Sequence, residues 1–370
     1  MDTTDNSDPL KRVFGSDGSV SQAEITEISR GDYFTKHNLQ EKIKLRIEKY
    51  YKSKHKSDEK HEKQTDESPV SLLQVSVSRP IRVIFGDEAI VEKYDPSELA
   101  QIPKPRLGEG TLGTLYKAVH KFGSTVTIRK IRPEVASSDD FEFWIKFFGG
   151  LRNESIAKLI FSFWYGGEAF VVHEYFCLGS LEELLHGTEG IQYTPLTWKI
   201  RQQIALDAAK AVTAVHKQVI ANGKALVCGV IKASNILINV DFSARLSSYE
   251  IPYLIPPATI IRRNPGRVAP ELTHNQYKVP KVFSQKSDVY SFGVLLLELV
   301  TGKKASVTNL GEYIKEKKRR EGLEGIPDKR MVDVNPNLVA VIGIARLCLR
   351  NDPKARPSMD QVVEMIQDLE

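Results

Sequence analysis

The stretch Cys228-Gly-Val-Ile-Lys-Ala-Ser-Asn-Ile-Leu-Ile238 lies between a long helical pattern and a short apolar run. The preceding pattern, Trp198 to His216, carries apolar side chains on one face at helical spacing, which predicts a long core helix. Further on, Ser284 to Gly302 is apolar nearly all round, as expected of a buried central helix that stops at its glycine. The stretch is therefore a loop that is flanked by core helices.

A glycine-rich segment, Leu107-Gly-Glu-Gly-Thr-Leu-Gly-Thr-Leu115, carries the spacing Gly-x-Gly-x-x-Gly. Glycines let backbone N–H groups approach phosphates closely, although such loops also serve as plain hairpin turns. The strand-like segment Val126-Thr-Ile-Arg-Lys-Ile131 comes next, whereas a dinucleotide-binding fingerprint needs a helix after its glycines. The order strand, turn, strand therefore argues against a dinucleotide-binding fold. It fits a hairpin whose glycines either approach phosphates or simply form a turn.

Composition and charge place the chain among ordinary globular proteins. It has 370 residues, 41% hydrophobic and 27% charged, and no apolar run reaches the roughly 20 residues that span a bilayer. Most of the net charge of +5 comes from residues 41–63, with nine Lys/Arg against five Asp/Glu. The remainder is close to neutral, which argues against a nucleic-acid-binding fold.

The three cysteines are scattered along the chain at Cys177, Cys228 and Cys348. Their odd number suits a reducing compartment, and their spacing is not that of metal ligands. We therefore expect a cytoplasmic location and no metal site.

Several motifs in order resemble those of a protein kinase domain, over residues from about 103 to 370. The likeness is to the intracellular domains of plant leucine-rich-repeat receptor-like kinases. It rests on Gly-Thr-Leu-Gly-Thr-Leu-Tyr-Lys-Ala-Val, Gly-Ser-Leu-Glu-Glu-Leu-Leu-His-Gly, Ile-Lys-Ala-Ser-Asn-Ile-Leu and Ser-Asp-Val-Tyr-Ser-Phe-Gly-Val-Leu-Leu-Leu-Glu-Leu. The resemblance implies an α+β, two-lobed protein-kinase-like fold. A small β-rich N-lobe with one main helix is expected over about 103–174, and a larger helical C-lobe over about 175–370.

Two further regions precede this domain. Residues 1–69 are predicted to be mostly disordered, with a basic amphipathic helix near 38–56 whose apolar stripe is Leu39, Ile43, Ile47 and Tyr50. Residues 70–102 are predicted to form a juxta-domain extension. Within it, Ile81 to Phe85 has strand character and Asp95 to Leu99 resembles a short capped helix.

Set against the kinase pattern, the residues that do chemistry are replaced. A catalytic loop normally opens His-Arg-Asp or His-Gly-Asp, and here Val230 stands where a carboxylate takes the substrate proton. Ser248 stands for the magnesium-binding Asp, and a neutral hydroxyl is a poor Mg²⁺ ligand. Arg129 occupies the place of the phosphate-binding lysine, and Trp144 that of its glutamate partner. The resemblance therefore implies no catalytic residues.

Other positions match the family pattern. By resemblance, nucleotide contacts fall on Leu107, Gly108, Gly110, Gly113, Leu115, Arg129, Lys232 and Asn235. Structural roles fall on three residues: Arg356 should pair with Glu271, and Asp288 should hold the backbone of the catalytic loop.

These observations predict an inactive receptor-like kinase, a pseudokinase that acts as a scaffold or allosteric partner in plant signalling. No cofactor is required, and any ATP binding is expected to be weak and independent of Mg²⁺. The expected partner is an active receptor-like kinase or its substrate. Two alternatives stay open. One is an unconventional Ser/Thr kinase with residual transfer, using Glu250 or Asp241 as its base. The other is an adaptor that binds an anionic membrane surface through residues 38–56, at the periphery of the plasma membrane.

Overall fold

The structure, a computed structural model, describes residues 80–101, 104–120, 123–187, 196–273, 281–331 and 337–369. These residues form two compact units. We call residues 80–152 with 157–175 the small unit, and residues 153–156 with 176–369 the large unit.

The small unit consists of a β-sheet with helices around it. Its elements are β1 (Ile81–Phe85), α1 (Glu88–Tyr94), α2 (Pro96–Gln101), β2 (Arg106–Glu109), β3 (Gly113–Val119), β4 (Thr125–Ile131), α3 (Pro133–Ala136), α4 (Phe141–Gly150), β5 (Leu159–Tyr165) and β6 (Glu168–Glu174). The six strands pair antiparallel in the order β1-β5-β6-β4-β3-β2.

The predicted extension before the domain is described over residues 80–101, and its strand belongs to this sheet. Strand β1 is present as predicted and pairs with β5. The predicted short helix is present as α2, where the Asp95 carboxylate accepts from the backbone N–H groups of Ser97 and Glu98 at 3.1 and 3.3 Å. Residues 1–79, including the predicted helix near 38–56, lie outside the described residues.

The core of the small unit lies between α2 and one face of the sheet. Its buried side chains are Leu99, Ala118, Val126, Ile128, Phe161, Phe163, Phe170 and Val172. Because side chains alternate along a strand, the intervening residues of β4 lie on the other face. Arg129 is one of these, and this alternation places it in the candidate site.

The large unit is mainly helical. Its elements are α5 (Leu181–His186), α6 (Trp198–His216), β7 (Ile236–Ile238), β8 (Ala244–Leu246), α7 (Ile251–Leu254), α8 (Pro257–Arg263), α9 (Pro270–Thr273), α10 (Gln285–Thr301), α11 (Leu310–Glu321), α12 (Asn337–Cys348) and α13 (Met359–Gln367), with 3₁₀ turns at Ala233–Asn235, Leu323–Gly325 and Pro353–Ala355. Strands β7 and β8 form a two-stranded antiparallel ribbon.

Helix α10 is the centre of the large unit. Fourteen of its 17 residues are buried, because α6 and α12 pack against it. Side chains of Ser284 and Ser287 cap its first turn, and it ends at Gly302 in the left-handed conformation. The prediction of a buried central helix over this segment is therefore confirmed, as is the α+β fold class. Among the described residues, no helix combines the length and apolar character that a bilayer span requires.

Candidate functional site

The glycine-rich segment forms the hairpin between β2 and β3. Gly113 has φ +151°, and a Cβ on it would lie 2.0 Å from the carbonyl oxygen of Lys130 on the neighbouring strand. The Gly110 N–H donates to the Gly113 carbonyl at 2.9 Å and closes the turn. Gly113 is thus required by the close approach of two strands, a requirement that a plain hairpin shares with a phosphate loop.

Arg129 lies on the sheet face opposite the core. It is 8% exposed and stands across from Leu115 on β3 and Val171 on β6. Lys130 points the other way and forms a 2.5 Å ion pair with Glu168. Arg129 and Lys130 therefore lie on opposite faces of the sheet. Arg129 shares its face with Leu115, next to the glycine-rich hairpin.

His173 lies next to Arg129 on this face, across from Thr127. Burial and the charge of Arg129 lower the pKa of His173 to about 3. The imidazole is therefore neutral at physiological pH, which fits a packing role rather than an acid–base role.

Helix α4 carries Trp144 at the position that resembles the ion-pair glutamate. The nearest carboxylate on the helix, Glu142, is already engaged: Arg82 of β1 donates two hydrogen bonds to it, one at 3.0 Å, and Trp164 Nε1 donates a third at 3.0 Å. The hydrogen bonds from Arg82 lower the pKa of Glu142, so this carboxylate is ionised and already paired. We call this contact the β1 latch.

The β1 latch is a structural feature that the sequence alone did not reveal. Arg82 and Glu142 are 60 residues apart, and the Arg82 side chain is 60% exposed. Neither residue lies in a recognisable motif. Only the pairing of β1 with β5, which places β1 against α4, brings them together.

In the large unit, Asp288 holds the backbone of the loop that starts at Cys228. Its carboxylate accepts from the Cys228 N–H at 2.6 Å, from the Gly229 N–H at 2.9 Å, and contacts His216 Nε2 at 2.8 Å. The contact between Asp288 and the loop backbone implied by the resemblance is therefore present. The loop is held in this conformation because two of its backbone N–H groups donate to a fully buried carboxylate on α10.

Gly229 is at a position where only glycine fits. Its φ is +86°, and a Cβ would lie 2.5 Å from Pro252 Cγ. The next residue, Val230, is 6% exposed. An apolar, buried side chain thus occupies the place of a proton-accepting carboxylate, in a loop whose backbone is otherwise held.

Ser248, at the position that resembles the magnesium ligand, adopts a left-handed conformation with φ +62°. Among residues other than glycine, Asp and Asn tolerate this region best because their side chains bond locally to the backbone. Ser248 thus keeps a backbone position suited to a carboxylate while lacking its charge. A single neutral hydroxyl is a weak ligand for Mg²⁺.

Lys232 and Asn235 lie in the same loop. Lys232 Nζ donates to the Asn264 Oδ1 at 3.0 Å, and burial together with the neighbouring charge of Arg267 lowers the pKa of Lys232. Asn235 is buried, and its backbone carbonyl accepts hydrogen bonds from the Ser247 N–H at 2.8 Å and the Ser247 hydroxyl at 3.0 Å. Both residues are positioned by neighbouring segments of the large unit.

Arg356 and Glu271 form a bidentate ion pair with two hydrogen bonds of 2.7 Å. Arg356 also donates to the carbonyls of Arg350, Lys286 and Asn351, and its side chain is fully buried. The pair anchors helix α9 to the segment that follows α12, as the resemblance implies.

One group in the described residues has the side-chain chemistry of a metal site: His216, Cys228 and Asp288, whose ligand atoms lie within 4.8 Å of one another. The hydrogen bonds described above already occupy both Asp288 oxygens. Burial and the Asp288 charge raise the pKa of the Cys228 thiol well above its ordinary value, so it is protonated. The group works as a hydrogen-bonded clamp.

The sequence and the structure of the chain were compared with those of known proteins. A sequence model of the family described as protein tyrosine and serine/threonine kinase matches residues 103–366. A probable inactive receptor kinase of Arabidopsis thaliana is 33% identical over 324 residues, which cover 85% of this chain and 49% of the relative. The chain thus spans about half the length of this curated relative.

Two solved structures resemble the chain. The maize SIRK1 (sucrose-induced receptor kinase 1) kinase domain bound to AMP-PNP superposes with a TM-score of 0.65 at 26% identity, covering 78% of this chain and 99% of that one. The pseudokinase domain of BIR2, an immune regulator of the RLK/Pelle family, gives a TM-score of 0.59 at 23% identity, covering 80% of this chain and 91% of that one. The second likeness concerns the fold alone. The predicted resemblance to plant receptor-like kinases is confirmed.

Proposed function

The chain belongs to the protein tyrosine and serine/threonine kinase family, and we propose that it is a pseudokinase that works by binding protein partners rather than by phosphoryl transfer. The observation that carries this proposal lies in one loop of the large unit. Asp288 holds the loop backbone, while Val230 fills the place of the base with a buried apolar side chain. The backbone contacts that support a catalytic loop are present, but the side chain that would accept the substrate proton is not.

The magnitude of the loss supports the same proposal. Removing one group that stabilises a transition state typically costs about 3–4 kcal/mol. Losses within one catalytic unit do not simply add. Val230 and Ser248 nevertheless remove both the base and the metal carboxylate, and the name of the Arabidopsis relative also describes an inactive kinase.

The alternative of an unconventional kinase finds less support in the geometry. Asp241 accepts from the N–H and hydroxyl of Ser243 at 2.9 and 2.6 Å, so its carboxylate stabilises a turn. Glu250 is buried at the start of α7. If this alternative is correct, incorporation of phosphate from labelled ATP must be measurable and must disappear in Arg129→Ala.

We also propose weak ATP binding that does not depend on Mg²⁺. The glycine hairpin, Arg129, Lys232 and Asn235 are present, and the maize SIRK1 kinase domain was solved with AMP-PNP. With Ser248 in place of a carboxylate, the phosphates depend on protein cations rather than on a metal ion.

The test is a thermal-shift titration with ATP, with and without Mg²⁺ or Mn²⁺. A ligand that binds only the folded state stabilises it, by about 2.7 kcal/mol at a concentration of 100 Kd. We expect a small shift without metal that is lost in Arg129→Ala and kept in Lys130→Ala, the matched control on the opposite sheet face. A shift that requires metal would contradict our interpretation of Ser248, and no shift would leave a scaffold that binds no nucleotide.

The proposed partner is an active receptor-like kinase or its substrate, in plant signalling at the cytoplasmic side of the plasma membrane. The membrane alternative depends on residues 38–56, which the structure does not describe. It predicts that binding to anionic vesicles disappears when Lys42, Lys44, Arg46 and Lys49 are neutralised together. Vesicle binding that survives this change would exclude the basic segment as the membrane contact.

A further inference from the structure

The end of helix α8 is fastened to the loop that starts at Cys228. Lys232 Nζ donates to Asn264 Oδ1 at 3.0 Å, and the buried Asn264 directly follows Arg263, the last residue of α8. The Arg267 N–H donates to the Asn264 carbonyl at 3.3 Å. Asn264 therefore links the side chain of Lys232 to the chain segment that carries both arginines.

The charges of these three cations act on one another. Burial and the charges of Arg267 and Arg263 lower the pKa of Lys232. The carboxylate of Glu182 opposes this shift, but it already forms an ion pair with Lys304. Positive charge is thus concentrated here beyond what the neighbouring carboxylate offsets.

Two of the cations keep their charge without a carboxylate of their own. Arg267 donates to Glu298 Oε1 at 2.8 Å, and both of these residues are buried. Arg263 is exposed, and within the described ranges neither Arg263 nor Lys232 forms an ion pair. The helix dipole favours arginines in the last turn of α8, which accounts for Arg262 and Arg263 but not for the approach of Lys232. Four cations therefore stand against two carboxylates.

The loop beside these cations lacks the carboxylates that would repel an anion. Val230, two residues before Lys232, is apolar where the kinase pattern has its proton acceptor. Ser248 is neutral where that pattern has its metal ligand, and Ser247 before it donates to the Asn235 carbonyl of the same loop. Like charges repel strongly in a partly buried site, so both replacements favour an anionic ligand.

We propose that Lys232 and Arg263 form a receptor for the phosphate group of a phosphorylated partner peptide. A phosphate ester carries a charge of about −1.5 to −2 at pH 7 and three acceptor oxygens, which matches the two excess positive charges. The guanidinium group of Arg263 and the ammonium group of Lys232 donate to these oxygens, and Arg267 adds positive potential from inside the large unit. The inference rests on the proposed function, because an active kinase or its substrate is the kind of partner that carries such groups.

Fluorescence anisotropy with the full chain and two labelled peptide libraries tests the proposal. Both libraries have random residues on each side of one central position, which is phosphothreonine in the first library and threonine in the second. We expect the first library to bind at least about tenfold more tightly, the factor that one charge-assisted hydrogen bond contributes. Equal binding of the two libraries would overturn the proposal. Displacement by an equal concentration of inorganic phosphate would assign the site to the free anion and also overturn it.

Two arginines of one helix provide the matched variants. Arg263→Ala should weaken binding of the phosphothreonine library about tenfold and leave binding of the threonine library unchanged. Arg262→Ala removes the same charge one position earlier, where helix geometry turns the side chain about 100° away, and should change binding less than about twofold. Both residues are exposed, and circular dichroism checks that both variants are folded. Equal losses in the two variants would assign the preference to general attraction by a basic surface and overturn the proposal.

A variant in the small unit separates this inference from the proposals on nucleotide and catalysis. Arg129→Ala should lose the thermal shift with ATP and keep the preference for the phosphothreonine library. If that preference disappears in Arg129→Ala, the phosphate binds at the nucleotide site and the inference fails. The binding assay contains no nucleotide, so transfer of phosphate from labelled ATP would contradict the pseudokinase proposal without changing the result for the peptide.

Discussion

The loop at Cys228 and helix α4 both lack residues expected of an active kinase, but their surroundings differ. The loop is held by buried groups: Asp288 is fully buried, and Arg356 nearby in the large unit has a fully buried side chain. Helix α4 is held partly by the β1 latch, in which Arg82 is 60% exposed. Buried ion pairs and amide clamps are costly to break, while exposed pairs contribute little. The loop therefore depends on buried groups of the large unit, whereas α4 depends in part on an exposed ion pair.

The largest effect is expected from Asp288→Ala. It leaves the N–H groups of Cys228 and Gly229 buried without an acceptor, and each unpaired donor costs about 1–3 kcal/mol. We expect a loss of about 3–5 kcal/mol in the free energy of unfolding, measured by urea denaturation. Asp360→Ala removes an exposed partner of Lys217 and should change stability by less than about 0.5 kcal/mol. A small effect of Asp288→Ala would mean that the loop is not held by the clamp.

Arg356→Ala should come next, with a loss of about 3 kcal/mol, because it leaves Glu271 and several carbonyls without a donor. Arg356→Lys should recover only part of this, since an ammonium group cannot make the two parallel bonds. Arg319→Ala, which breaks an exposed pair with Glu316, is the surface control and should be nearly neutral. If all three variants unfold at the same urea concentration, the contrast between buried and exposed pairs fails.

Gly229→Ala sharpens the comparison within the loop. The left-handed φ disfavours alanine, and the added Cβ would also meet Pro252. Gly223 has a similar φ of +81° with open space around it. We expect Gly223→Ala to cost about 1 kcal/mol from the backbone alone, and Gly229→Ala to cost about 2–3 kcal/mol. Equal losses in thermal denaturation would show that Pro252 moves aside.

The smallest effect on stability is expected from Arg82→Ala, at about 0.5–1 kcal/mol for a partly exposed pair. Its effect on motion should be larger, with faster amide exchange in α4 and unchanged exchange in α10. Amide exchange followed by mass spectrometry measures both helices in one sample. Unchanged exchange in α4 would show that the latch does not hold the helix.

The pH dependence of the latch follows from Glu142. Its pKa is lowered in the folded state, so the contribution of the pair is present above the ordinary pKa of about 4.3 and disappears as the pH falls through the folded value. The stability difference between the unmodified chain and Arg82→Ala should therefore shrink from pH 7 to pH 3. A difference that stays constant would mean that Arg82 acts through its contact with the Trp164 ring rather than through its ion pair with Glu142.

Much of the fold could be predicted because its signals are local. The helix Trp198–His216 and the helix ending at Gly302 appear in the structure where their apolar patterns place them. The replaced positions Val230 and Ser248 could also be located, since they lie in ordered motifs with fixed spacing. Their burial and backbone conformation could not, because both depend on segments elsewhere in the large unit.

The sequence by itself determined the family, the elements and the missing carboxylates, since each of these depends on residue types at short spacing. Only the tertiary structure decided that Arg82 binds Glu142 and that the amides of Cys228 and Gly229 meet Asp288. These contacts join residues about 60 positions apart. No local propensity encodes such a pairing, because it follows from strand register and helix packing, which bring distant segments together in space.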